Sequence, residues 1–235
     1  MFPRQAFILA GGKGERLRPL TDDAPKPMIL VQGKPILQYG IERLVSFGVK
    51  KIILGVSYKA EKIKEFFGDG KNFGAEIFYS MENGFLGTGG ALKHAEALLK
   101  GKFIMLNGDT LMDVDFKKLD ELHEKKKALG TIALVSVKDV SSYGVARLDG
   151  EKIAEFVEKP LSENAPSNFV NAGAYILEKK AIEILPEGFN LIEKTLFPIL
   201  AASGKLYGFR HTGQWFPTDD MQRLARAEKE WRDSK

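Results

Sequence analysis

Residues 7 to 28 read "FILAGGKGERLRPLTDDAPKPM". Phe7-Ile8-Leu9 ends an apolar, β-type run, and the chain then switches at once to glycine, fixed positive charge and proline. Gly11, Gly12 and Gly14 permit positive φ and let backbone N–H groups converge on anionic oxygens with no Cβ in the way. A tight surface turn uses glycine in the same manner, so glycines alone do not separate the two readings. Their neighbours do. Read from Gly12, the dinucleotide fingerprint gives Gly12-x-Gly14, but Leu17 stands where the third glycine belongs, which excludes a Rossmann dehydrogenase. No Gly-Lys-Ser/Thr comes after it, so the Walker pattern fails as well. Instead the chain continues with Arg16, Arg18 and Pro25-Lys26-Pro27, in which two prolines stiffen the backbone around one lysine. A bland turn has no need to hold a lysine so rigidly. Triphosphate binding by a loop that is neither Rossmann nor Walker accounts for it better.

Outward from this loop, short apolar runs alternate with helical patterns. Strands are expected at Gln5–Leu9, Lys51–Val56, Ala75–Ser80 and Lys102–Leu106, with helices near Pro35–Phe47, Lys59–Phe67 and Gly89–Leu99. In the first helix Ile36, Leu37, Ile41, Leu44 and Val45 follow helical spacing, and Pro35 suits a first turn. Such alternation predicts βαβ units and an α/β fold with a mostly parallel central sheet, helices on both faces. Ligands of these sheets bind beyond the carboxyl ends of the strands. The second half differs. Thr131–Lys138, Gly144–Leu148, Lys152–Val157 and Val170–Leu177 read as successive strands, and a helix follows from Glu178. A last helix is expected over Asp219–Trp231. There is no internal repeat or linker.

Composition narrows the function classes. The 235 residues suit one domain, 1–235, with residues 1–112 as the nucleotide half and 113–235 as the second half. No apolar run reaches the roughly 18 residues of a membrane helix, and no signal peptide precedes the first strand, so a cytoplasmic protein is expected. The absence of cysteine removes disulfides, thiolate–zinc sites and cysteine nucleophiles. Lys+Arg exceeds Asp+Glu by 35 − 31 = 4, compatible with a small polyanionic ligand. The Lys125-Lys126-Lys127 run closes a helix and reads as a solvated end rather than a nucleic-acid patch.

Carboxylates for a cation come next. In "KFIMLNGDT" a buried strand ends at Asn107-Gly108-Asp109. A carboxylate just past a strand, beside glycine, suits Mg²⁺, which takes one or two carboxylates plus phosphate oxygens and waters. Asp109 could equally cap a turn, so a partner is needed. "GQWFPTDDMQRL" offers Asp219 and Asp220; one can cap the last helix while the other faces a ligand. "ENGFLGTGGALKHA" places glycines at 87, 89 and 90 at a helix start, a natural cradle for a flat or negative group. "FVEKP" ends a strand with Glu158-Lys159, and "NFVNAGAYIL" opens one with Asn171, Ala172 and Gly173. Helix start, strand end and bulge are the structural alternatives for these three. His94, His123 and His211 lack metal spacing and receive no role.

These pieces, in this order, resemble the sugar-1-phosphate nucleotidylyltransferase family, the nucleotide-sugar pyrophosphorylases. The likeness covers nearly the whole chain. "LAGGKGERLRPLTDDAPKPM" is its most specific part, followed by "LGTGGAL", "NGD", "EKP" and "NAGAY". The resemblance implies a Rossmann-like, glycosyltransferase-A type fold and the Mg²⁺-dependent reaction of NTP with a sugar 1-phosphate to give NDP-sugar and pyrophosphate. It implies a short form, without a C-terminal β-helix domain. Carried over by motif, Leu9, Ala10, Gly11 and Gly12 border base and ribose, and Gly14, Arg16 and Lys26 hold the triphosphate. Glu82 and Gly87 lie by the base, and Asp109 binds metal. Gly144, Glu158, Lys159, Asn171 and Ala172 contact the sugar phosphate. Arg16, Lys26, Asp109 and Lys159 carry the chemistry, which needs positioning and charge more than a covalent nucleophile.

One departure stands out. The family's last motif usually has an aspartate two residues after the tryptophan, where this chain has Pro217; Asp219 comes four residues after Trp215. The second metal ligand is therefore expected at Asp219, with Asp220 the alternative. "LGTGGAL" resembles members that use GTP with mannose- or heptose-type phosphates; UTP- and CTP-using members are the alternatives. Rivals of another kind are a non-catalytic nucleotide-sugar-binding regulatory subunit and a cytidylyltransferase acting on a non-sugar phosphate. The expected partners are NTP and sugar 1-phosphate, with no nucleic acid and no membrane. A homo-oligomer is left open.

Overall fold

In the computed structural model, residues 1–233 are described. β1 (Gln5–Leu9) buries Ala6, Phe7 and Ile8 completely, as an apolar run does in a strand covered on both faces. The glycine-rich loop follows, and then the hairpin of β2 (Leu30–Val31) and β3 (Lys34–Pro35) leads into α1 (Ile36–Ser46). β4 (Lys51–Val56), α2 (Ala60–Phe67), β5 (Glu76–Met81) and α3 (Gly87–His94) continue the alternation. Next come β6 (Lys102–Asn107), the short β7 (Thr110–Met112) and α4 (Phe116–Lys126). β8 (Gly130–Ser136), β9 (Gly144–Asp149), β10 (Lys152–Glu158), β11 (Phe169–Glu178) and one-turn α5 (Lys179–Ile182) succeed them. Last are α6 (Leu196–Ala202), β12 (Leu206–Arg210), β13 (Trp215–Pro217) and α7 (Met221–Glu230).

These elements divide into two units that are interleaved along the chain. The loop unit takes Pro3–Phe85, Leu106–Asp113 and the residues from Gly213 onward; the antiparallel unit takes Met1–Phe2, Leu86–Met105 and Val114–Thr212.

In the loop unit β1, β4 and β5 are parallel neighbours, with Ile8 opposite Leu54 and Leu54 opposite Tyr79. α1 buries Ile36, Leu37, Ile41 and Leu44 of the expected apolar positions and Tyr39 besides, whereas Val45 is only half-buried; Pro35 is its N-cap. A second core joins Leu17, Val31, Tyr39, Leu111, Phe216, Leu224 and Trp231. Leu17, the residue that broke the dinucleotide fingerprint, is fully buried there and anchors the glycine loop. The hairpin turn has Gln32 at φ 50° and Gly33 at φ 77°, two left-handed residues as a two-residue loop of this twist requires. Gln32 Nε2 donates to the Trp231 carbonyl at 2.9 Å, tying the hairpin to the end of α7. β7 and β13 form an antiparallel ribbon, Thr110 opposite Pro217 and Met112 opposite Trp215.

The antiparallel unit has strand order β11-β8-β12-β10-β9, with only β8 and β12 parallel. α4 starts at Asp115, whose carboxylate accepts from the N–H groups of Lys117 and Lys118 at 3.1 Å. Phe197 of α6 packs its ring on Phe156 of β10 at 5.2 Å and on Tyr175 of β11 at 5.5 Å. α4 contributes a buried polar group: Lys102 Nζ lies 2.5 Å from Asp120 Oδ1 and also bonds Glu124, while His123 Nδ1 meets Thr131 Oγ1 at 2.9 Å.

Every strand and helix expected from the sequence is present, with shifts of a residue or two at most ends. The helix expected over Gly89–Leu99 starts earlier, at Gly87, and ends at His94; Glu96–Leu98 is a separate 3₁₀ turn. The helix expected from Glu178 is a single turn. No helix among the described residues is long and apolar enough to cross a membrane.

Candidate functional site

The loop unit gathers most of the residues expected to hold nucleotide and metal. Gly14 lies at φ 69°, and a Cβ there would come within 2.8 Å of Lys26 Cβ and 2.9 Å of Thr21 Cγ2. Thr21 Oγ1 donates to the Gly14 carbonyl at 2.9 Å, which pins the loop from its other end. Gly11 has Ser57 and Glu82 Oε1 close to where a Cβ would stand, whereas nothing lies within 4 Å of a Cβ placed at Gly12. Glu82 thus lies by the first glycine, with Leu9 and Ala10 leading into the loop.

Lys26 is nearly buried, at 5% exposure. Its Nζ donates to Asp109 Oδ2 at 2.5 Å and to Asp219 Oδ1 at 2.9 Å. Burial acts to strip its proton, but the two carboxylates outweigh that and hold the ammonium above its ordinary range. The local fold explains why two aspartates so distant in sequence meet. A Cβ on Gly108 would sit 2.6 Å from the Leu9 carbonyl, and only glycine lets that backbone approach so closely. Thr218 Oγ1, completely buried, donates to the Asp109 carbonyl at 2.7 Å. The β7–β13 ribbon brings Thr110 opposite Pro217, so the residues flanking each strand converge.

Asp219 and Asp220 have different partners. Asp220 is the N-cap of α7 and accepts from the Arg223 N–H at 2.9 Å. Asp219 joins Lys26, and its other oxygen takes Arg223 Nη1 at 3.0 Å. Arg16 lies 3.7 Å from Asp219 Oδ1 with its side chain 67% exposed. Burial would raise the Asp219 carboxyl; Lys26, Arg16 and Arg223 overcome that and keep it below the usual carboxylate range. Arg223 was not among the expected residues, although its i,i+4 spacing from Asp219 was a readable signal.

The donor set suits a hard cation. Asp109 and Asp219 are 33% and 25% exposed, carry only oxygen donors and converge on one ammonium. Among the described residues no group of three or more His, Cys, Asp or Glu could hold a metal by itself.

The antiparallel unit gathers the other expected group. Gly144 of β9 is opposite Glu158 of β10, and a Cβ at 144 would come within 2.4 Å of Phe156 Cζ and 2.8 Å of Glu158 Oε2. The missing side chain is what gives the Glu158 carboxylate its place. Burial, then the neighbouring charge of Glu193, lifts the Glu158 carboxyl above the ordinary range against the pull of Lys159 and Lys194. Lys159 is exposed, 3.8 Å from Glu158 Oε1, and its backbone has φ 48°, a left-handed conformation that is costly for a non-glycine residue. Asn171 Nδ2 donates to the Tyr175 hydroxyl at 2.8 Å, and Asn171 Oδ1 accepts from Gly173 N–H across the bulge in β11. Ala172 beside it is buried.

Gly87 also belongs to this unit, apart from the other expected nucleotide residues. The cradle expected at the start of α3 is filled by the chain itself. Gly89 and Gly90 donate their N–H groups to the Asn190 carbonyl at 3.0 and 3.2 Å, and a Cβ on Gly89 would overlap Asn190 Oδ1. Those two amides therefore present nothing to an anion, which corrects that part of the expectation. Thr88, between Gly87 and Gly89, donates to Glu193 Oε2 at 2.6 Å. Neither Asn190 nor Glu193 has a local signature, because each acts on a turn about a hundred residues earlier.

The nucleotidyl transferase family model matches residues 5–234. Mannose-1-phosphate guanylyltransferase of Mycobacterium tuberculosis is 38% identical over 215 residues, 89% of this chain and 59% of that protein. UTP–glucose-1-phosphate uridylyltransferase of Synechocystis sp. is 39% identical over 216 residues, 85% of this chain and 56% of that protein. The chain thus spans about three fifths of the length of the curated relatives it matches. HddC from Yersinia pseudotuberculosis superposes with a TM-score of 0.83 at 33% identity, covering 99% of this chain and 100% of that one. The same protein has also been solved complexed with GMP-PN.

Proposed function

We propose, from the premise that this chain belongs to the nucleotidyl transferase family, that it transfers a nucleoside monophosphate from an NTP to a sugar 1-phosphate. The products are an NDP-sugar and pyrophosphate. One observation carries the reading: a buried lysine beside a glycine-rich loop holds two aspartates together.

An oxygen of the sugar phosphate attacks the α-phosphorus in line with departing pyrophosphate, and negative charge spreads over the phosphate oxygens. A phosphate oxygen is already ionised at neutral pH, so no general base is required. Two of the three Lys26 N–H donors are engaged by Asp109 and Asp219, which leaves the third for a phosphate oxygen. Arg16, mostly exposed, is free to swing onto the leaving pyrophosphate. Lys159 holds the attacking phosphate, and Glu158 and Asn171 accept and donate hydrogen bonds at the sugar hydroxyls. Asp109 and Asp219 would hold Mg²⁺ together with the nucleotide, and the bound ion would neutralise charge on the phosphate oxygens.

The base reading is GTP, with a mannose- or heptose-type 1-phosphate. The "LGTGGAL" stretch, the Mycobacterium guanylyltransferase and the HddC complex with GMP-PN support it. The Synechocystis uridylyltransferase, similarly identical, supports UTP as the second reading. The test is pyrophosphate release across four NTPs and several sugar 1-phosphates with Mg²⁺. The highest kcat/KM is expected for GTP with mannose or a heptose 1-phosphate; no release with any pair would refute the reaction.

A further inference from the structure

One buried carboxylate has no task in the transfer reaction. Glu193 is 9% exposed and lies in the antiparallel unit, just ahead of α6. A carboxylate at that depth is costly unless something in the fold uses it.

Its surroundings follow from the packing. Backbone bonds from Thr195 to Leu191 and from Leu196 to Ile192 make residues 191–196 a helical turn that runs into α6. Glu193 and Phe197, four residues apart, therefore share one face of that turn. Phe197 lies on Phe156. Phe156 and Glu158, two residues apart on β10, share one face of the strand, and Gly144 meets both. The same face continues through Tyr175, also in contact with Phe197, to Asn171. Glu193 thus belongs to the patch that carries Gly144, Glu158 and Asn171. Its Oε2 is fixed by the Thr88 hydroxyl, which in turn accepts from the Ile192 N–H at 3.0 Å.

We infer that Glu193 is a positioning residue for the sugar phosphate, held by Thr88 so that its carboxylate sets the charge and orientation of Glu158. The inference rests on the proposed transferase reading. Its electrostatics agree: the charged groups acting on Glu158 are Glu193, Lys159 and Lys194, and Glu193 is the one that favours the protonated carboxyl. Burial is the larger cause of the raised Glu158 carboxyl and an ionised Glu193 adds to it; burial raises Glu193 as well, so its influence on Glu158 is exerted at pH values where Glu193 itself is still charged.

Glu193→Gln keeps the shape and an acceptor for Thr88 while removing the charge. KM for the sugar 1-phosphate is measured from pH 5 to 8 alongside KM for the NTP and kcat. The variant is expected to shift the acid limb of the sugar-phosphate KM to lower pH and to change that KM by about tenfold, with the NTP KM within about twofold. A merely structural role would move both KM values or the melting temperature and leave the limb in place, and that result overturns the inference. Thr88→Val and Thr88→Ser supply the second arm. Loss of the hydroxyl should raise the sugar-phosphate KM and serine should restore it; an indistinguishable pair also overturns the inference, whether or not Glu193→Gln folds. Wild-type turnover in the same assay separates the two levels. Its absence refutes the transferase reading and this inference with it, whereas normal turnover with unmoved variants refutes this inference alone.

Discussion

His123 offers a stability prediction whose size can be worked from its surroundings. The imidazole is 2% exposed; Nδ1 meets Thr131 Oγ1 at 2.9 Å, and Nε2 has no hydrogen-bond partner. Glu178 Oε1 lies 3.6 Å from Nε2, beyond a good hydrogen bond. Burial first, and then the Lys102 cation, hold its pKa down from 6.5 to about 4, against the weaker pull of Glu124. The ring is therefore neutral in the folded protein across a range in which the unfolded chain binds a proton. Stability linked to this group is fully present above pH 6.5 and falls as pH drops toward 4, where it levels off. At 1.36 kcal/mol per unit, a depression of about 2.5 units corresponds to about 3 kcal/mol. That is a large share of the 5–15 kcal/mol of a typical domain. Urea unfolding of wild type and His123→Gln at half-unit intervals from pH 7.5 to 4 measures it. The wild type should lose about 3 kcal/mol more than the variant over that span. Parallel pH profiles for the two proteins would refute the reasoning.

Three further outcomes test the site. Lys26→Ala and Asp109→Asn should each lower turnover by about 10²–10³ while circular dichroism still shows a folded chain; near-normal rates in either would contradict the assignment. Asp219→Asn should lower turnover similarly, whereas Asp220→Ala should cost about 1 kcal/mol of stability and leave kcat near wild type, since its carboxylate caps α7. Gly144→Ala should raise the sugar-phosphate KM and lower the melting temperature, because the new methyl collides with Phe156 and Glu158; unchanged sugar-phosphate kinetics would show that the strand gives way without disturbing Glu158.

The legible parts of this protein are those with local causes. β1 and β4 match their expected bounds because an unbroken apolar run between polar or glycine residues leaves little freedom in where a buried strand starts and stops. α1 follows from its apolar spacing and from Pro35. The glycine loop was readable because its cations and prolines do not belong in an ordinary turn. β12 went unread: five residues with a glycine inside carry little pattern, and pairing with β8 and β10 is what makes them a strand. The β7–β13 ribbon has three residues on each side and exists only through its partner. The start of α3 shows the same limit, since nothing near Gly89 announces that Asn190 will take its amide. Sequence put the second metal ligand at Asp219 with Asp220 as the alternative; the backbone gives the two different partners, since the residue directly before α7 caps it and the one preceding that reaches Lys26.

Interleaving of the two units has a consequence for the order in which this protein matures. A ribosome delivers the glycine loop first, yet Phe216, Leu224 and Trp231, which pack around Leu17, emerge only after the whole antiparallel unit has been made. Until then Lys26 lacks Asp219, and the loop has only part of its support. All residues of the antiparallel unit precede this last segment in the chain, so the contact between Lys26 and Asp219 is among the last that synthesis makes possible.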